Sequence, residues 1–388
     1  MTTVAKQDGR SEGAARTLSP ESFGALLGSL RDDGYRVLGP RVREGAIVYG
    51  EVSGLGDFPA GWGEVQEAGR YRLIERDDPR LFGFSVGPQS WKPQFFVPRA
   101  RLVRLRRTNE GFDADARESA PRLALVGARA CDLAAIAIQD RTFLGGPFRE
   151  PDYEARRRDV FVVAVNCGQA GGTCFCVSMG TGPRVREMHD IVLTELVEPH
   201  RFVAEAGTER GRALLDRLGA PDAAESELRE VDRICDSTAR SMGRELDTKG
   251  IKELLYANQE HARWDDVAAR CLGCANCTLV CPTCFCSNVE DTSDLGGQVA
   301  DRWRRWDSCF TLGHSYVHGG SVRTSTRARY RQWLTHKLAS WIDQFGTSGC
   351  VGCGRCITWC PVGIDITAEV AAIRATDARA NPAQSSAP

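Results

Sequence analysis

The sequence predicts an α/β (α+β) N-terminal domain followed by a mostly helical, cysteine-rich C-terminal domain. Three observations carry this division. Two apolar runs, Leu123–Val126 and Val160–Val165, bracket the segment CDLAAIAIQDRTFL (131–144), in which Leu133, Ile136 and Ala137 recur at helical spacing. Strand, helix and strand in that order make a parallel pair. From about residue 206 the composition turns to Glu, Arg, Ala and Leu, as in helices. Finally, 11 of the 16 cysteines and 6 of the 8 tryptophans lie after residue 260, so large rings are available to pack around the cysteines.

Taken in order, residues 1–20 are polar and lack an apolar core, which reads as a disordered leader and not a secretory signal. Residues 21–206 form the α/β domain. It opens with short β-type runs at 36–38, 46–49 and 71–74, separated by turns such as Gly54–Gly56 and Gly61–Gly63. The proline-punctuated stretch SWKPQFFVPR (90–99) is expected to be extended. Residues 207–260 read as a helical connector, 261–375 as the cysteine-rich domain and 376–388 as a disordered tail. Within the last domain, the long insert 287–349 is expected to add helices packed with Trp303, Trp306, Trp333 and Trp341.

Composition limits the function. Lys and Arg number 50 against 51 Asp and Glu, a net charge of −1, which lacks the basic surface that nucleic-acid binding needs. No segment approaches the length of apolar residues that suggests a membrane helix. The chain therefore reads as cytoplasmic, where disulfides are rare and clustered cysteines point to metal.

The cysteines form two complete runs. Cys271, Cys274, Cys277 and Cys281 precede Pro282, and Cys350, Cys353, Cys356 and Cys360 precede Pro361, each with C-x2-C-x2-C-x3-C-P spacing. Three cysteines two residues apart curl a loop around a cubane. The fourth points away and, in two-cluster ferredoxins, ligates the other cluster. The expected metal ligands are therefore Cys271, Cys274, Cys277 and Cys360 for one 4Fe-4S cluster, and Cys350, Cys353, Cys356 and Cys281 for a second. Gly273, Gly352 and Gly354 let backbone N–H groups approach sulfur. Structural zinc also uses paired cysteines but has no use for the third spacing or the prolines.

A less familiar repeat is Thr173-Cys174-Phe175-Cys176, which returns as Thr283-Cys284-Phe285-Cys286. Two C-x-C pairs, one from each domain, suggest a third Fe-S cluster held by Cys174, Cys176, Cys284 and Cys286, with Cys131 and Cys167 as spare ligands. The alternative is that these are small buried hydrophobes. Gly180–Pro183 reads as a turn. No G-x-G-x-x-G or G-x-x-x-x-G-K-S/T motif is present, so a dinucleotide site lacks its signature, and no catalytic residue is expected. Arg323, Arg327, Arg329 and Arg331 form a basic stretch that reads as a solvated face, a counter-charge to anionic clusters, or a docking site. His261, His314, His318 and His336 read as hydrogen-bonding or surface residues.

The strings RACDLAAIAIQDRTFLGG (129–146), NCGQAGGTCFCVSMGTGP (166–183), CLGCANCTLVCPTCFC (271–286) and THKLASWIDQFGTSGCVGCGRCITWCPVGID (335–365) resemble the beta subunits of cytosolic NAD(P)-linked nickel–iron sulfhydrogenases. A related iron–sulfur component of anaerobic sulfite reductase has a similar layout. The resemblance spans residues 90–370, and the two CFC strings and RACDL are its specific part. It implies a ferredoxin-like electron-transfer subunit with 4Fe-4S clusters, non-catalytic in itself. The implied partners are a flavin and NAD(P)-binding subunit, a small iron–sulfur subunit, plus a nickel–iron catalytic subunit. The other readings are an iron–sulfur subunit of a sulfite reductase-like enzyme, a self-contained oxidoreductase with a substrate site in the N-terminal domain, and a zinc-bound interaction module.

Overall fold

The computed structural model describes residues 15–115 and 120–377. Most of the expected leader and tail lie outside that range. Residues 15–19, assigned above to the leader, are described. Arg16–Leu18 form an edge strand with Leu18 fully buried, because it pairs with Arg201–Ala206.

The N-terminal half is built on a seven-stranded sheet. Its spatial order is Arg16–Leu18, Arg201–Ala206, Ile191–Leu196, Phe161–Val165, Leu123–Ala128, Arg36–Arg43 and Ala46–Glu51. The four strands at its centre are parallel neighbours, and antiparallel strands finish both edges. Leu123–Ala128 and Phe161–Val165 are buried along their whole length, as strands covered on both faces must be. Helix Pro20–Asp32 covers one face. Phe23, Leu26, Leu27 and Leu30 recur every three or four residues and are all fully buried, each contributing about 1.5–3 kcal/mol. Its start is fixed by the Ser19 hydroxyl, which accepts from the Ser22 amide at 3.2 Å, and by Pro20 in the first turn. Helix Ala130–Leu144 covers the other face as the strand–helix–strand pattern requires. It is apolar nearly all round because the second cysteine run packs on its far side.

The connector helices serve different bodies. Glu209–Arg217 packs Leu214 and Leu215 into the core that holds Phe23, and Glu225–Arg240 buries Val231 and Cys235 beside Leu196 and Val203. Ile251–Ala257 joins the C-terminal core, which contains Trp264, Tyr330, Trp333, Leu338, Ile357 and Ile373.

Two expectations are corrected. The C-terminal half is mixed, not mostly helical. Residues 287–306 form an antiparallel ribbon, Ser287–Ser293 with Val299–Trp306, and the second of these strands pairs with Arg99–Thr108 of the N-terminal half. Trp303 and Trp306 therefore lie on a strand, while Trp333 and Trp341 are buried on helices as expected. Cross-strand charge holds the ribbon. Arg104 makes two bonds of 2.7 Å to Asp301, Arg302 pairs with Asp291 at 2.7 and 2.8 Å, and Arg99 covers the Trp303 ring at 4.0 Å. The stretch 90–99 is not wholly extended either. Lys92–Phe95 make one helical turn, with Pro93 in the first turn, where its missing N–H costs nothing.

Candidate metal centres

Both cysteine runs have the same backbone. Helix Arg263–Arg270 delivers Cys271 at its C-terminus, and the chain then turns through left-handed Gly273 (φ 63°) and Ala275 (φ 69°) into the helical turn Asn276–Leu279. In the second run Gly352 (φ 65°) and Gly354 (φ 73°) do the same before Arg355–Thr358. The curl aims an amide at the first sulfur of each run: Gly273 N–H faces Cys271 Sγ at 3.4 Å and Gly352 N–H faces Cys350 Sγ at 3.5 Å. The backbone thereby surrounds sulfur with donors, as a thiolate ligand needs.

Each fourth cysteine neighbours sulfurs of the other run. Cys360 lines one recess together with Cys271, Cys274 and Cys277, which Cys356 of the second run also lines, and its sulfur accepts from the Ile364 amide at 3.3 Å. The recess walls are apolar, with Phe310, Tyr330, Trp333 and Ile364. Cys281 is the charge neighbour of Cys350, Cys353 and Cys356, and also of Cys277 in its own run. Burial pushes the Cys350 thiol up to about 12 and those of Cys356 and Cys277 well above the ordinary thiol range. Cys281 departs from this. Burial opposes its ionisation, but hydrogen bonds from Cys284 and Thr283 and the charge of Lys337 hold it well below the usual value.

The two groups differ in charge. Lys337 is 3% exposed, and its Nζ donates to Cys281 Sγ at 3.0 Å, to Thr283 Oγ1 at 3.0 Å and to Gly349 O at 3.4 Å. Arg355 is fully buried between Cys353 and Cys356. It donates to the Gly87 and Gln89 carbonyls, both at 3.1 Å, and to Asp132 at 2.9 Å. The equivalent position in the first run is uncharged Asn276.

Among the described residues no three His, Cys, Asp or Glu side chains converge closely enough for a single metal ion. Four thiols set around a recess suit a polynuclear cluster, whose irons stand apart, better than one tetrahedral ion.

The four C-x-C cysteines have different nearest neighbours. Cys284 is hydrogen-bonded to Cys281, and Cys286 to Cys309, with Lys337 beside both pairs. Cys174 and Cys176 gather with Cys167. The repeat has a different shared property: both of its threonines are fully buried clamps on the second run. Thr173 Oγ1 meets Thr358 Oγ1 at 2.7 Å, and Thr283 Oγ1 donates to Gly349 O at 2.7 Å.

The basic stretch is not an open docking face. Arg329 is buried against the Thr311 carbonyl and Ser321, while Arg327 and Arg331 pair with Glu260 at 2.9 and 2.7 Å. His261, His314 and His336 bond Thr376, Asp307 and Gln344, and His318 is exposed. Sequence reasoning missed Lys337, the partners of Arg355 and the company of Cys309. The one available signal was Arg355, the only charged residue inside either run.

A family model described as a 4Fe-4S dicluster domain matches residues 270–364. Sulfhydrogenase 2 subunit beta of Pyrococcus furiosus is 33% identical over 309 residues, which cover 78% of this chain and 89% of that protein. No solved structure matches the chain.

Proposed function

The chain belongs to the sulfhydrogenase beta-subunit family, and from that premise we propose that it is the iron–sulfur electron-transfer subunit of a multisubunit, cytoplasmic hydrogenase-type oxidoreductase. Its partners in this reading are a flavin and NAD(P)-binding subunit, a small iron–sulfur subunit, plus the nickel–iron catalytic subunit. Cys271, Cys274, Cys277 and Cys360 hold one 4Fe-4S cluster; Cys350, Cys353, Cys356 and Cys281 hold a second. The observation that supports the reading is that Cys360 neighbours Cys271 and Cys277, while Cys281 neighbours Cys350, Cys353 and Cys356.

When bound, such clusters accept and release single electrons with little rearrangement. The chain's own residues do the rest. Phe310, Tyr330, Trp333 and Ile364 give the first group an apolar wall. Cys274 and Leu272 are exposed, so this group reaches the surface on which a redox partner docks. The second group is buried deeper, and the charges of Lys337 and Arg355 favour an added electron there.

The test is anaerobic reconstitution of the full chain, then affinity capture from its source with identification of the co-purifying subunits. The reading expects acid-labile sulfide, a brown colour bleached by dithionite, and no turnover of hydrogen or NADPH by the chain alone. Near-stoichiometric zinc without sulfide overturns it. Turnover by the isolated chain moves the assignment to a self-contained oxidoreductase.

A further inference from the structure

We propose that Cys167, Cys174, Cys176 and Cys235 form a third iron–sulfur site, in the N-terminal half, and that it takes a 4Fe-4S cluster. The ligands differ from those of the two motif centres, so the site stands or falls separately from them.

Three segments bring the four together. Cys167 follows strand Phe161–Val165, and its amide donates to Pro183 O at 3.4 Å. Cys174 and Cys176 lie on the turn that follows, and the Arg244 amide donates to Cys174 O at 2.9 Å. Cys235 comes from helix Glu225–Arg240. One turn further along that helix, Thr238 Oγ1 donates to Cys167 O at 3.0 Å, so the face that carries Cys235 lies against the Cys167 segment. Cys174, Cys176 and Cys235 are 7%, 5% and 2% exposed. Cys167 is the charge neighbour shared by the other three.

The surroundings suit an anionic cluster. Glycine lets the backbone approach two of the sulfurs closely: a Cβ on Gly171 would stand 3.2 Å from Cys174 Sγ, and one on Gly182 would stand 3.0 Å from Cys176 Sγ. The Arg129 guanidinium is fully buried next to Cys167; it donates to the Asn166, Phe82 and Phe84 carbonyls, and its positive charge favours the Cys167 thiolate. A buried cation is costly unless negative charge sits beside it. As each sulfur binds iron it releases its proton to solvent, so four thiolates join the cluster and four protons leave. No oxidant or reductant is consumed in that exchange.

The site also has a place in the electron path. Cys174 Sγ lies 3.9 Å from the carbonyl oxygen of Cys353, a ligand of the second motif centre. Electrons reaching the second centre thus have a next station inside the α/β half. There a polar cavity lined by Asn166, Gly168, Gln169, Arg233 and Ser237 opens to the surface.

The experiment counts iron and sulfide in the anaerobically reconstituted full chain. Three cubanes give about twelve iron atoms, two give about eight. The expected result is about twelve, falling to two thirds in Cys167→Ser and in Cys235→Ser and unchanged in Cys284→Ser with Cys286→Ser. A wild-type count of about eight overturns the site, as does a count that survives both single changes or follows Cys284 and Cys286. Should a serine variant fail to fold, the wild-type count decides, because the eight motif thiols hold no more than two cubanes. The motif centres fail separately, if Cys271→Ser and Cys350→Ser leave the iron count unchanged.

Discussion

Arg355 and Asp132 form an ion pair of 2.9 Å in which the side chains are 0% and 1% exposed. One partner sits inside the second cysteine run; the other is in the first turn of helix Ala130–Leu144. Asp132 also accepts from the Arg129 amide at 3.2 Å and the Tyr49 hydroxyl at 3.4 Å. The RACDL string, the most specific part of the family resemblance, is thus the seat on which the second run rests.

Breaking that pair from either side leaves a buried charge without its counter-ion. Asp132→Asn and Arg355→Met are each expected to cost about 3–5 kcal/mol, read from urea unfolding of the loaded chain. The double change Asp132→Leu with Arg355→Met should cost less than either single change. Single losses below about 1 kcal/mol would contradict a structural pair.

Lys337 puts a buried positive charge against the second group, whereas the cation beside Cys271 of the first, Arg270, is partly exposed and paired with Glu369. A unit charge about 6 Å from a cluster at an effective dielectric constant of about 20 is worth about 3 kcal/mol, or roughly 120 mV. Lys337→Met should move the midpoint of one cluster to more negative potential by that order, seen in an EPR-monitored titration. Lys337→Arg should restore most of it. Equal shifts in both clusters would show a general loss of structure instead.

The glycines of the two runs share a left-handed conformation but not their surroundings. A Cβ on Gly273 meets nothing within 4 Å, whereas on Gly352 it would stand 2.5 Å from Phe175 O and on Gly354 2.4 Å from Thr173 O. Gly273→Ala should cost about 1–2 kcal/mol for its backbone alone. Gly352→Ala and Gly354→Ala should cost about 1–3 kcal/mol more, because the Thr173–Phe175 segment must move. Thermal melts of the three variants check the ranking.

The proposed exchange of the fourth cysteines between runs has a spectroscopic consequence. Cys360→Ser should alter the cluster whose environment is apolar and leave the one sensitive to Lys337 intact. Cys281→Ser should do the reverse. Combining each with Lys337→Met and recording EPR tells which signal each serine affects; the opposite pattern would place each fourth cysteine in its own run.

Local spacing was enough to read the two runs and the strand–helix–strand unit, because their determinants lie within a few residues of one another. The ribbon 287–306 was not legible. VADRWRRW shows no clean alternation, and its stabilising partners Arg99 and Arg104 lie about two hundred residues earlier. The C-x-C repeat was visible, but the role of its threonines, which bond Thr358 and Gly349, was not. Cys235 looked isolated because only the helix that carries it, docked across strand Arg201–Ala206, brings it to Cys167. Buried cations cannot be told from surface ones by composition in a chain with 50 Lys and Arg.

The sheet that strand Arg99–Thr108 shares with Val299–Trp306 also orders events on the ribosome. When residues 99–114 emerge they can form their own hairpin, but the opposite edge of strand 99–108 stays open until residue 306 has been made. An open edge in a nascent chain is a template for the wrong neighbour. Five arginines, at positions 99, 101, 104, 106 and 107, line that strand. Charged side chains blunt such an edge; Arg106 finds Asp115 at the end of the same hairpin, whereas Arg104 gains its carboxylate only once Asp301 has been made.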